Sequence, residues 1–213
     1  MFEIINLLHV VFGSLALLGG VTAMATAKGS LWHVRGGQLF ALMMGLVVIT
    51  TFVQMFHEFL PLAIVMCLTV IYLVPSAILS VNHAVPGFKA ANVLLMTLLG
   101  LLFAFATVQF VRINLISDSL FVGPAFLAAL FGTLLVQDWR MLGSPPSHPN
   151  AWLRRHLTRM ILAFTFAIMA LVRIGLNFGL SLEMSVILPL IAAAIVIAVV
   201  YRKYPVSEPA DQG

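Results

Sequence analysis

The residues able to do chemistry in this chain are few, and most are histidines. His33, His83 and His156 fall at the same end of the apolar segments, with Asp138, Arg35 and Arg159 in the same layer. Imidazole suits zinc, copper or iron, and a carboxylate can complete or orient a histidine site. Two opposed histidines can instead hold a haem iron axially. His33, His156, His83 and Asp138 therefore form a candidate cofactor or metal site, for haem b or a divalent metal, with Arg35 and Arg159 in support. The same histidines also suit interfacial positions, bonded to loop carbonyls and helix ends. His9 and His57 fall near the opposite side and form a second candidate polar site. His9 lies a turn or more inside its apolar segment, so it needs a partner other than bulk water. His33 and His57 flank one helix, ~36 Å apart at about 1.5 Å of rise per residue, and cannot share a ligand.

Small residues follow three of these histidines at helical spacing. His33 heads Gly37, Ala41 and Gly45; His156 heads Met160, Ala163, Ala167 and Ala170; His9 heads Gly13, Ala16 and Gly20. Positions four apart share a helix face, and small residues there let a neighbouring membrane helix approach closely. The expectation is that each histidine points toward a helix contact, and that His33 and His156 approach one another at one end. Asp138 is the only acidic residue on that side before the tail. It is the expected partner of an arginine or an imidazole N–H.

The elements that must position these groups are membrane helices. The chain of 213 residues is 62% hydrophobic and 8% charged, with mean hydropathy +1.12. A soluble domain carries roughly 25% charged residues. About 20 apolar residues cross a hydrocarbon core. Seven segments qualify: Ile4 to Met24, Gln38 to Phe56, Leu60 to Val81, Ala91 to Ile113, Leu120 to Val136, Leu157 to Leu176 and Leu180 to Tyr201. Short connections favour an up-and-down bundle of antiparallel neighbours. The fold class is all-α: one seven-helix transmembrane domain over residues 1–204 and a disordered tail over 205–213.

Lys28, Arg35, Lys89, Arg140, Arg154, Arg155, Arg159, Arg202 and Lys203 collect on one side, against Arg112 and Arg173 on the other. That bias places the N-terminus outside and the C-terminus in the cytoplasm. Because the basic residues alternate with apolar spans, they read as topology signals and exclude a nucleic-acid partner. The single cysteine, Cys67, excludes an intramolecular disulfide. A P-loop and an HExxH motif are both missing, which argues against a P-loop ATPase and that class of protease.

Three stretches carry a resemblance: Lys28 to Phe40 (KGSLWHVRGGQLF); Asp138-Trp139-Arg140 leading to Ala151 to Met160 (AWLRRHLTRM); and Asn177 followed by Pro189. Together they resemble a family of multi-pass bacterial membrane proteins without an assigned reaction, in which a histidine opens the second helix and His-x-x-Arg-Met opens a late one. The arginine expected directly after the first histidine is replaced by Val34, with Arg35 one later. The resemblance implies the inner (cytoplasmic) membrane of a bacterium and supplies no activity.

Three functions stay open. The first is a haem- or metal-binding redox protein exchanging electrons with a lipid quinone. The second is a small-molecule or ion transporter using buried polar groups such as His9, Gln109 and Arg173. The third is an assembly subunit whose partner is another membrane protein. Whether the protein is an enzyme is left open by the residues.

Overall fold

A computed structural model of the chain describes residues 2–116, 122–172 and 179–206. Among these the elements are helical: α1 (Phe2–Ala25), α2 (Leu31–Gln54), α3 (Pro61–Val81), α4 (Phe88–Phe110), α5 (Gly123–Gly143), α6 (Pro149–Ala170) and α7 (Leu182–Lys203). A π-helical stretch, Val111–Ile116, continues α4. Asp118, Leu120, Arg173, Leu176, Asn177 and the tail 207–213 lie outside the described residues.

Six helices are long and apolar enough to cross a bilayer: α1, α2, α3, α4 with its extension, α5 and α7. α6 has the length but carries Arg154, Arg155 and Arg159. Large apolar side chains such as Leu7, Leu18, Leu42, Leu94, Leu101, Ile195 and Val199 lie exposed along the apolar helices. Such surface would drive association in water, and in a bilayer it is the face that meets lipid. The chain is thus all-α, with apolar helices consistent with an integral membrane protein.

Two compact units make up the chain: Met1–Ile71 with Phe166–Ile168, and Tyr72–Thr165 with Met169–Gly213. In the first, α1 and α2 form a helical hairpin around a short connection. Gly29 takes φ 81°, a backbone conformation that costs glycine little. Ser30 then caps α2, its Oγ accepting the His33 N–H at 3.2 Å, which satisfies one of the free donors of the first turn. On the other side of the turn, the Ala23 carbonyl at the end of α1 accepts from Lys28 Nζ at 3.1 Å and meets His33 Nδ1 at 2.8 Å.

The close approach of α1 and α2 is made by Gly19 and Gly36. A Cβ on Gly19 would lie 2.9 Å from the Gly36 carbonyl oxygen, and one on Gly36 would lie 2.8 Å from that of Gly19. Around them α1 buries Ala16, Gly20 and Ala23, and α2 buries Phe40, Met44 and Val48. The stripe expected on α2 is therefore corrected by one position. A Cβ on Gly37 or Gly45 would meet nothing within 4 Å. One residue turns a helix by about 100°, so Gly36 faces the neighbour and Gly37 stands to one side. On α1 the stripe holds at Ala16 and Gly20, whereas a Cβ on Gly13 would meet open space.

In the second unit, α4 buries Asn92, Leu95, Leu99, Leu102 and Ala106, and α5 buries Phe131, Leu134 and Asp138. Gly132 lets the Phe103 ring lie against α5, where an added Cβ would sit 3.1 Å from it. On α6, Ala163 is buried and Met160, Ala167 and Ala170 are half-buried. The same helix buries Arg155, Arg159 and Leu162 as well.

Candidate functional site

Four helices of the second unit bring polar side chains to one place. α3 supplies Tyr72, Ser76 and Ser80, each four residues from the last and so on one face. All three are fully buried. α4 supplies Asn92, α5 supplies Asp138, and α6 supplies Arg155 and Arg159, again four apart.

Asp138 is the hub. Its Oδ1 accepts from Arg159 Nη2, and from Arg155 Nη2 at 3.2 Å and Nε at 3.3 Å. Its Oδ2 accepts from the Tyr72 hydroxyl at 2.6 Å. Arg155 also donates to Ser80 Oγ at 3.1 Å, Ser76 Oγ at 3.3 Å and Asn92 Oδ1 at 2.6 Å. Asn92 is oriented by its own amide, which donates to the Phe88 carbonyl at 2.9 Å, and Ser80 donates to the Ser76 carbonyl at 2.7 Å. Ser80 and Asn92 thus have their donors engaged with backbone and their oxygens turned to Arg155.

Arg159 is held differently. It is fully buried, donates to the Tyr72 hydroxyl at 3.2 Å and lies 3.4 Å from the Arg155 carbonyl. Its Nε is buried without a hydrogen-bond partner. Leaving a buried donor unmet costs about 1–3 kcal/mol, and more for a charged group. The cluster therefore contains two guanidinium charges, one carboxylate and one unused N–H. A buried pair with good geometry offsets the desolvation of its charges, and an unmatched third charge is not offset in that way.

An aromatic cover lies toward the helix ends. His83 stacks on Trp152 with ring centroids 4.6 Å apart and planes 5° from parallel, and Phe88 meets Trp152 edge-on at 5.7 Å. Trp152 Nε1 donates to the Pro146 carbonyl at 3.1 Å, which fixes the indole. Ser80, Arg155 and Asn92 stand three or four residues from His83, Trp152 and Phe88 respectively. On α4 and α6 that offset is one helical turn toward the helix start, and His83 lies just beyond the end of α3.

Of the residues singled out by sequence, Asp138 and Arg159 meet in this cluster, while His83 belongs to its cover. His156 Nδ1 lies 2.9 Å from the Ala77 carbonyl of α3. His33 is on the Ala23 carbonyl in the first unit, where Arg35 is exposed on α2. His9 Nδ1 lies 3.0 Å from Thr50 Oγ1, and the His57 ring packs 4.7 Å from that of Phe2. Among the described residues, no group of three or more His, Cys, Asp or Glu side chains comes together as a metal ion would require.

Arg155, Tyr72, Ser76, Ser80 and Asn92 were not singled out by sequence. Arg155 looks there like one more basic residue on the positively charged side. The readable signal was on α3, where Tyr72, Ser76 and Ser80 place a hydroxyl on every turn of one face of an apolar helix. Comparison with protein-family models, curated proteins and solved structures yields no match to this chain.

Proposed function

We propose that this protein is a membrane transporter whose solute site is the Asp138–Arg155–Arg159 cluster. One observation carries the reading: two arginines and a carboxylate are buried together in a chain otherwise built of apolar helices. Ionisable groups inside a membrane domain are expensive and mark substrate or ion pathways by default. Nothing in the α1–α2 hairpin, where polar side chains satisfy helix ends, calls for such a cost. In this reading α6 is the seventh span. The basic connections face the cytoplasm of a bacterial cell, and the N-terminus lies outside.

The test is reconstitution of the full chain into lipid vesicles, with flux followed across a panel of anions, cations and neutral solutes. Solute-selective flux that disappears in an Arg155→Gln/Arg159→Gln double variant of equal vesicle content supports the reading. Flux at the rate of protein-free vesicles for every solute overturns it. Visible absorption bands, or stoichiometric metal lost on changing His33, His83 or His156, would instead favour the haem or metal site. Orientation is checked by a cytoplasm-only reporter, active after Tyr204 and inactive after Asn114.

A further inference from the structure

We infer that the cluster takes a small monovalent anion, a carboxylate or a halide, and that the His83–Trp152–Phe88 stack is the gate through which it enters. This rests on reading the protein as a transporter and names the class of its solute.

Charge is the first ground. Asp138 carries one negative charge, and Arg155 and Arg159 carry two positive charges, so the buried cluster is left with one positive charge. Among the described residues the salt bridges of this region all end on the single carboxylate of Asp138. A monovalent anion neutralises the remainder, whereas a cation or a second positive group would add to it.

The second ground is the unused donor. Arg159 Nε is buried and unpartnered. Guanidinium N–H groups suit carboxylate oxygens, and charge-assisted bonds of this kind are the strong ones. Asp138 does not serve Nε: its Oδ1 takes both arginines through other nitrogens and its Oδ2 takes the Tyr72 hydroxyl.

The third ground is the route. Phe88 and Trp152 stand one helical turn from Asn92 and Arg155 on α4 and α6, and His83, three residues after Ser80, stacks on Trp152 just beyond the end of α3. His83 lies in the connection between α3 and α4, which ends at Gly87 with φ 80°, and Phe88 opens α4 directly after it. Opening this gate means breaking the Trp152 Nε1 bond to the Pro146 carbonyl and the stack on His83, and it leaves the ion pairs of Asp138 in place.

The experiment uses the full chain in detergent, titrated with chloride, formate or acetate against gluconate at constant ionic strength, with thermal unfolding as the readout. The expected result is a saturable rise in unfolding temperature with the three small anions and none with gluconate. Asp138→Asn raises the net charge of the cluster, so the apparent dissociation constant should fall at least fivefold even though the protein itself is less stable. Arg159→Lys keeps the charge and removes Nε, so binding should weaken at least tenfold. Where either variant fails to fold, the titration of the parent chain decides the site, and rapid-mixing measurement of anion exchange in Trp152→Ala, expected to be faster, tests the gate. Equal unfolding temperatures in chloride, formate, acetate and gluconate overturn the inference. So does Trp152→Ala with unchanged exchange, for the gate. Saturable binding without flux in vesicles would overturn the transport reading and leave the anion site standing. Flux of a cation or neutral solute, indifferent to these anions, would do the reverse.

Discussion

Between α1 and α2, polar side chains are spent on the ends and the flanks of the helices. Ser30 caps α2, Lys28 and His33 meet the last carbonyls of α1, Gln54 donates to Asn6 at 2.9 Å, and His9 meets Thr50. The contact itself is backbone against backbone at Gly19 and Gly36. In the second unit the arrangement is reversed. There, α3, α4, α5 and α6 meet through side chains that converge on Arg155 and on the carboxylate of Asp138. Close backbone approach gives dispersion contact without burying charge, and it leaves no donor over. A charge cluster costs desolvation and is worth keeping where something charged must be handled. The three arginines of α6 show the contrast within one helix. Arg154 donates to the Tyr201 and Tyr204 carbonyls at 2.6 Å and closes the end of α7, while Arg155 and Arg159 turn inward.

The sharpest way to break this comparison is Asp138→Asn. It leaves two buried guanidiniums without a counter-charge, at a cost of about 3–5 kcal/mol. Chemical unfolding in detergent measures it, and a cost near zero would mean that the arginines are solvated. Tyr72→Phe should come next. It removes the hydroxyl that gives to Asp138 and takes from Arg159, for about 1–3 kcal/mol.

The hairpin should answer to volume instead of charge. Gly36→Leu places a side chain against the α1 backbone and should cost about 1–3 kcal/mol or more. Gly45→Leu, with open space around its Cβ, should stay within about 0.5 kcal/mol of the parent. Similar losses for the two would mean that α1 and α2 cross elsewhere. Ser30→Ala removes one cap and should cost about 1 kcal/mol, seen as faster amide exchange confined to the first turn of α2.

Much of the fold was legible because it depends on local sequence. An apolar run of membrane-spanning length makes a helix in any environment that lacks water, since its backbone groups have no other partners. The apolar helices therefore follow from short stretches. The apolar run falls short where polar residues continue a helix: α2 begins at Leu31 against an expected Gln38, and α6 at Pro149 against an expected Leu157, where its arginines cut the run. Propensity does not register that a partner elsewhere satisfies the charge.

What the sequence determined by itself was the all-α class, the apolar helices and the polar residues available to them. Which face each helix turned inward was decided by tertiary structure. Gly36 and Gly37 are equivalent in sequence, and only the crossing with Gly19 selects between them. Arg155 reads as a surface charge until Ser76, Ser80 and Asn92 arrive beside it from 63 to 79 positions away in the chain. The cost of burying a charge depends on the partners that surround it. Those partners come from α3 and α4, so no window along α6 could have contained them.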